Sequence, residues 1–440
     1  MTLLTLAGTG VLAVPSLTGC SGPTNGPSGT TVNADLVRSD LPRDPADAAD
    51  AQPAYTAVSA FTADVYRTLA ARGSGNLVCS PFSVAMALGM TVQGARGTTA
   101  TELLSALYAP TGATLEASRA VARRLNALDV ALSARAGTVK LFDGSTGEVA
   151  LSSANSLWGQ RDLVWDKGFL DVLALDFGTG MHQVDYRTAT EKARTAINGW
   201  VSEQTHERIP ELLAEGVLAP DTRLTLVNAL YLKAPWQTPF EKAATRPAAF
   251  TRLDSSTVQA PQMNATVFAA HGTGPGWSAA RLPYADGRLA MTVVLPEAGR
   301  FAEIEKQLDG AWLAGVQTAL RPTQVQIGLP RWTTRSQASL RSVLEQLGIR
   351  QAFTDAADFS GMTTQERLQV AAVVHEAFVA VDEAGTEAAA ATAVVMRVTG
   401  APAEPARLIA DRPFLYVIHD NAQGAAPTPL FIGRVLDPTV

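Results

Sequence analysis

The chain has 440 residues, a net charge of −6, 47% hydrophobic and only 17% charged residues. Such a length is enough for two or three domains and such an apolar share fills a large core, while the acidic balance gives no electrostatic reason to expect nucleic acid as a partner. Two cysteines, Cys20 and Cys79, support neither a disulfide framework nor a paired-cysteine metal site.

Leu3 to Leu17 is largely apolar but too short to span a bilayer as a mature helix. It runs into Leu17-Thr-Gly-Cys20-Ser, which resembles a bacterial lipoprotein signal with Cys20 as the lipidated first residue. The Lys or Arg that leads such signals does not precede the apolar run. Residues 1–20 are therefore expected to be a signal peptide, placing the protein outside the cytoplasm on a membrane-held lipid at Cys20, or free by secretion. Residues 21–54 have almost no large apolar side chain and are expected to be a disordered tether.

Order is expected from about Tyr55, where Val58, Phe61, Val65 and Leu69 share one helical face. Ser80 then caps a second helix with Pro81 in its first position. Val84, Leu88 and Val92 form its buried stripe, and Gly94-Ala-Arg-Gly97-Thr-Thr99 ends it. Cys79 reads as a buried, inert thiol. A helix over Leu115–Leu132 turns Val121, Leu125, Leu128 and Leu132 inward, with Arg119, Arg123 and Arg124 on a solvated face. Leu151–Trp158 reads as a strand, Phe169–Phe177 as a helix, Met181–Tyr186 as a strand. Helical spacing returns over 189–213 around Ile197, Trp200 and Val201.

Leu224–Trp236 is a strand and its exit. Alternation continues through Leu282–Tyr284, Met291–Pro296 and Val325–Trp332. Leu340, Leu344 and Leu347 mark a helix closed by Gly348, and Arg412–Ile418 with Pro429–Val435 forms a hairpin. Between these lies the stretch that organises the chain. The β-type run Leu368–Asp382 feeds Glu383-Ala-Gly385-Thr386-Glu387-Ala388-Ala389-Ala390-Ala391-Thr392, followed by Ala-Val-Val-Met396-Arg397-Val398-Thr399-Gly400. Four successive Ala favour helix. Against that stand Gly385 as a hinge, the β-branched residues that follow, and Pro402 and Pro405, which hold the chain extended. The small side chains would let this segment slide between strands as an added strand.

The Glu383–Thr392 run is similar to the reactive-loop hinge of inhibitory serpins. Asn76–Ser83 with Gly94–Thr99, Ile197–Thr205, Leu224–Trp236 and the C-terminal hairpin also resemble blocks of that family, in its order over residues 56–438. The resemblance implies one α+β serpin domain over 55–440. It would have a large central, mainly antiparallel sheet, further sheets, eight or nine helices and an exposed reactive loop at about 383–411. The implied activity is inhibition of serine endopeptidases as a suicide substrate: the protease cleaves the loop, is held as an acyl-enzyme, and the cleaved loop inserts into the sheet. Loop insertion is a known switching device.

On this reading Ser80, Ser83, Asn228 and His375 form the polar cluster behind the sheet called the shutter. Lys233 and Trp236 stand at the entry point, the breach, where Ala234 replaces the family's preferred Gly. Counting Glu383 as the first of seventeen residues puts the scissile bond at Thr399-Gly400, which suits an elastase-like or subtilisin-like protease. Arg397-Val398, trypsin-like, and Met396 are the alternatives. A non-inhibitory serpin serving as carrier, chaperone or surface protein is the competing reading. The resemblance implies a monomer and no cofactor.

Little in the sequence points to catalysis. The five histidines, 182, 206, 271, 375 and 419, are scattered, with no His-Glu-x-x-His, Gly-x-Ser-x-Gly or phosphate-loop pattern.

Overall fold

Two sheets and their helices account for most of the chain in the computed structural model. It describes residues 35–109, 112, 114–141, 144–387, 404–421 and 427–440. Among them are nine α-helices: α1 (Ala51–Ala70), α2 (Pro81–Gly94), α3 (Gly97–Ala106), α4 (Leu115–Ser133), α5 (Lys167–Phe177), α6 (Tyr186–Gln204), α7 (Phe301–Gln307), α8 (Gly310–Ala319) and α9 (Arg341–Gln346). The first strands are β1 (Asp35–Val37), β2 (Leu77–Cys79), β3 (Gly137–Lys140), β4 (Thr146–Gln160), β5 (Met181–Val184), β6 (Leu224–Pro235), β7 (Arg246–Thr251), β8 (Thr257–Gly274) and β9 (Trp277–Pro283). They are followed by β10 (Leu289–Pro296), β11 (Arg321–Pro330), β12 (Trp332–Ser339), β13 (Ala372–Val381), β14 (Gly385–Thr386), β15 (Ala406–Ile409), β16 (Phe414–Asp420) and β17 (Pro429–Val435).

The first sheet runs β1-β5-β4-β6-β14-β13-β12, with β3 hairpinned on β4. Its neighbours are antiparallel except at β4–β5 and β6–β13. The parallel pair β6–β13 is the seam of the molecule: six residues pair there, from Ala372↔Thr225 to Ala377↔Leu230. Parallel pairing is slightly the weaker kind per residue. The second sheet runs β15-β11-β8-β9-β10-β16-β17-β2, with β7 on β8.

Helix α2 is buried along its whole length, so its residues are apolar or small on every side rather than along one stripe, apart from Gln93, whose amide donates to Gly89 O and Ser118 O. Ser80 accepts the Ser83 N–H at its N-cap, with Pro81 in the first turn. Leu88 and Val92 join the main core with Val58, Phe61 and Val65 of α1 and Val121 and Leu125 of α4. On the opposite face of the first sheet α6 lays Ile197 and Val201 over Trp158, Val227 and Val374. That helix ends at Gln204, short of the 213 expected from spacing, because Thr205 caps it and positive-φ His206 and Glu207 turn the chain.

The tether expected over 21–54 needs correction within its described part. Residues 35–37 add a strand to the sheet edge at β5. Arg43 reaches Asn126 at 2.8 Å and Asp129 at 2.8 Å on α4, and the Asp44 N–H donates to Leu175 O at 2.8 Å. Helix α1 starts at Ala51, four residues before Tyr55. Residues 1–34, with Cys20, lie outside the described residues.

Candidate functional site: the sheet seam and the hinge

The four residues assigned to the shutter meet under the middle of the seam. The Ser80 N–H donates to His375 Nε2 at 3.0 Å, so the ring proton sits on Nδ1 and donates to Asn228 Oδ1 at 3.2 Å. Ser83 Oγ donates to Asn155 Oδ1 at 2.6 Å. His375 on β13 and Asn228 on β6 are register partners, so their hydrogen bond ties together the two strands that must separate to admit a third. Burial pushes the His375 imidazole down to about 4, because the charged ring would lose its water. Asn155 was not singled out from sequence as a member of this cluster. The strand pairing Asn155↔Asn228 brings it in, and no local pattern announces it.

At the top of the seam stands the breach. The Trp236 ring stacks on Tyr284 with centroids 4.5 Å apart, its indole N–H donates to Asp382 O at 3.0 Å, and its backbone N–H donates to Ala384 O at 2.8 Å. Lys233 pairs with Glu148 at 3.1 Å on the rim. Glu383 is buried and accepts from Arg331 Nε at 2.8 Å and from Thr245 Oγ1 at 2.5 Å. Burial pushes its carboxyl up, but the Arg331 and Thr245 hydrogen bonds outweigh that and hold it below the ordinary value.

The hinge itself departs from the exposed loop expected at 383–411. Gly385 and Thr386 already form a short strand between β6 and β13, antiparallel to both: Thr386 pairs with Ala234 and Val381, and Gly385 with Pro235. Thr386 is 0% exposed and shares a 2.6 Å hydrogen bond with the Tyr284 hydroxyl. Gly385 has no room for a side chain, since a Cβ would lie 2.2 Å from Ala234 O. Ala234, where the family prefers Gly, sits in ordinary strand pairing. The other end of the expected loop is also trimmed, because 406–409 form β15 beside β11.

Glu387 marks where this insertion stops. Its backbone takes φ +52, a left-handed conformation uncommon for a residue with a Cβ. Its carboxylate, 3% exposed, pairs with Arg208 Nε at 3.1 Å. Burial raises its pKa against the pull of the Arg208 charge. Arg208 and Arg335 both lie over the Phe378 ring, and Arg335 pairs with buried Glu376 at 2.9 Å. Ala388, Ala389, Ala390, Ala391, Thr392, Arg397, Val398, Thr399 and Gly400 lie outside the described residues.

Other polar groups do not join this site. Of the three α4 arginines expected on a solvated face, Arg123 is exposed and pairs with Glu116, while Arg119 and Arg124 are half-buried and Arg119 lies 3.7 Å from the buried Asp176 carboxylate. Cys79 is buried, and burial raises its thiol pKa. Among the described residues no group of three or more His, Cys, Asp or Glu side chains is placed to hold a metal ion.

Gly385 and Thr386 thus enter the top of a parallel seam that closes over a buried Ser-Asn-His cluster. The serpin (serine protease inhibitor) model matches residues 56–438. This chain belongs to the serpin family. It is 34% identical over 390 residues to an uncharacterized serpin-like protein of Thermococcus kodakarensis, covering 88% of this chain and 86% of the relative. It is also 34% identical to the leukocyte elastase inhibitor of Sus scrofa, covering 86% and 97%. Among solved structures the thermophilic serpin tengpin in its native state is similar, with a TM-score of 0.77 at 25% identity over 92% of this chain and 100% of that one. Thyroxine-binding globulin shares the fold at a TM-score of 0.74 and 24% identity, over 88% and 99%.

Proposed function

We propose that this serpin is an inhibitor of serine endopeptidases that works as a suicide substrate. The observation that carries this is the strand Gly385–Thr386, which already occupies the first two positions of the seam between β6 and β13. Below it the parallel pairing of β6 with β13 is intact and available to be exchanged for antiparallel pairing on both sides of a new strand. The protease serine would attack the Thr399 carbonyl and expel the Gly400 amine, leaving an ester between enzyme and loop. The freed segment then zips into the seam from Thr386 downward and carries the bound protease with it before water cleaves the ester. The native state is on this reading a kinetic trap.

A relative named for leukocyte elastase inhibition fits the small residue at Thr399, so elastase-like and subtilisin-like proteases are the favoured targets, with trypsin-like ones at Arg397-Val398 as the alternative. Lipid on Cys20 would hold the inhibitor on the outer face of a membrane as a monomer. Detergent phase partition of the protein from its own cells, compared with a Cys20→Ser variant, tests the anchor.

The deciding experiment incubates the protein with elastase, subtilisin, trypsin and chymotrypsin, followed by denaturing gels and mass spectrometry. The expected result is a covalent band that survives denaturation, with a new C-terminus at Thr399. Clean loop cleavage with every protease left active would overturn the inhibitory reading in favour of a non-inhibitory carrier or surface protein.

A further inference from the structure

The lower end of the seam is tied by charge. Arg223 stands just before β6, and its Nε donates to Glu366 Oε2 at 2.9 Å. The other Glu366 oxygen accepts from Arg187 of α6. A second Arg187 nitrogen reaches Asp162, in the turn between β4 and α5, at 2.8 Å. The hydrogen bonds from Arg187 and Arg223 hold the Glu366 carboxyl below its ordinary range, so it is charged at neutral pH.

These groups come from the two sides of the seam. Arg223 leads into β6 and Asp162 follows β4, the antiparallel neighbour of β6. Glu366 leads into β13, and the chain between is fixed on that side. Leu368 and Val370 are buried in the main core, and the Val370 N–H donates to Ala352 O at 2.9 Å. Beside this network the Ala371 N–H donates to Leu224 O at 3.1 Å, continuing the closed pairing below Ala372↔Thr225. An added strand has to come this far. The register that pairs Thr386 with Ala234 reaches Leu224, the first residue of β6, ten residues later. Thr399 is thirteen residues beyond Thr386, enough to carry its carbonyl to the level of Arg223 and past it. One more strand widens the spacing of β6 and β13 by about 4.8 Å, which a 2.9 Å hydrogen bond does not survive.

We infer that Glu366 bolts the lower end of the seam through Arg187 and Arg223, and that this bolt must open before insertion is complete. The inference rests on the inhibitory reading above, which supplies the inserting strand. Glu366 is a positioning residue: it acts on the separation of β6 and β13 and not on the bond that is cut. Its pairs exist with the seam closed and are lost with the strand in place, so removing them lowers the barrier to the last stage of insertion. All three side chains are partly exposed, so dissolved salt weakens the bolt as well.

The test compares the full chain with Glu366→Gln and Arg187→Gln. Each is cut in the loop by excess thermolysin, a metalloprotease that forms no acyl-enzyme, at about 0.05 M and about 0.5 M salt. Insertion is read as the growth of the fraction that stays folded in urea strong enough to unfold the uncut chain. At the lower salt Glu366→Gln is expected to insert about fivefold faster than the wild type, and Arg187→Gln, which keeps the Arg223 pair, about twofold faster. The higher salt should speed the wild type by a similar few-fold and leave Glu366→Gln unchanged. A role in general stability would weaken the uncut chain without removing the salt dependence. Equal insertion rates at the lower salt, or a salt dependence that Glu366→Gln retains, would overturn this inference alone. Should Glu366→Gln fail to fold, the faster insertion and reduced salt dependence of Arg187→Gln carry the test, and their absence overturns the inference. If the cut wild-type chain never becomes resistant to urea, the inhibitory reading and this inference fall together.

Discussion

The top and the middle of one seam stand in opposite states. At the top, Thr386 has entered between Ala234 of β6 and Val381 of β13, and the entry is lined by Trp236, Tyr284 and Glu383. In the middle, β6 and β13 pair with each other, and His375, Asn228 and Ser80 bind the closed arrangement from behind. The top is held open by a side chain that fits; the middle is held shut by buried hydrogen bonds that opening would break. Each such bond contributes about 1 kcal/mol net, and each buried group left unpaired costs about 1–3 kcal/mol. The difference teaches that starting insertion and completing it are separate problems, solved by different residues.

The largest expected effect is at the top. Thr386→Arg would place a guanidinium where Thr386 is fully buried against the Tyr284 hydroxyl, a neutral group that cannot balance a full charge. An uncompensated buried charge costs roughly 3–5 kcal/mol, more than the two-residue strand returns. The hinge should leave the seam, and complex yield should fall toward zero while loop cleavage continues, read as the covalent band on a denaturing gel. An unchanged yield would mean that the top of the seam plays no part in trapping.

Much of this arrangement is legible in the sequence because the signals are local. The Gly385 hinge and small-residue run, the Ser80-Pro81 helix start and the β-branched strands each declare themselves within ten residues. What is not legible depends on partners far along the chain. Asp35-Leu-Val37 sits in a polar tail and becomes a strand only because β5 offers an unpaired edge. Asn155 looks like any strand residue until β4 aligns it with Asn228. The hinge reads correctly as an insertable strand, but its first two residues being already inserted depends on Tyr284, 102 positions away.

The middle of the seam predicts a pH dependence. With its folded pKa near 4 against an ordinary 6.5, His375 is neutral in the folded protein where the unfolded chain takes up a proton. Stability from this group is full above about pH 6.5 and is lost as pH falls through 6.5 toward 4. The total is about 3 kcal/mol from a shift of that size. His182 and His419, held by burial to about 4 and about 3, act in the same direction. Urea midpoints at pH 7 and pH 4.5 should therefore differ less in His375→Gln than in the wild type. That variant should be weaker at pH 7, where it loses the bond to Asn228. Equal pH slopes would place the acid sensitivity elsewhere.

The smallest expected effects lie where the two states meet, at Glu387. Its carboxylate is buried, and in the inserted hinge its pKa is raised by that burial despite Arg208. Protonation therefore favours the inserted hinge, and the charged form favours release, so acid should tighten the hinge and neutral pH loosen it. Two substitutions should act in opposite directions on this balance. Glu387→Gln removes the charge whose burial opposes insertion and should draw the hinge in. Arg208→Ala leaves that charge without its partner and should let the hinge out. The Arg208 guanidinium is half exposed, so the pair is partly screened and shifts of a few-fold are expected rather than orders of magnitude. The rate of cleavage after Glu387 measures the released fraction in the wild type and Arg208→Ala, and hydrogen exchange at the Thr386 amide measures it in Glu387→Gln. The cleavage rate should fall in a control set at lower pH for the wild type, rise for Arg208→Ala, and for that variant keep a steeper pH dependence. If Arg208→Ala changes neither the rate nor its pH dependence, the stop at Glu387 is set by the backbone turn at φ +52 and not by charge.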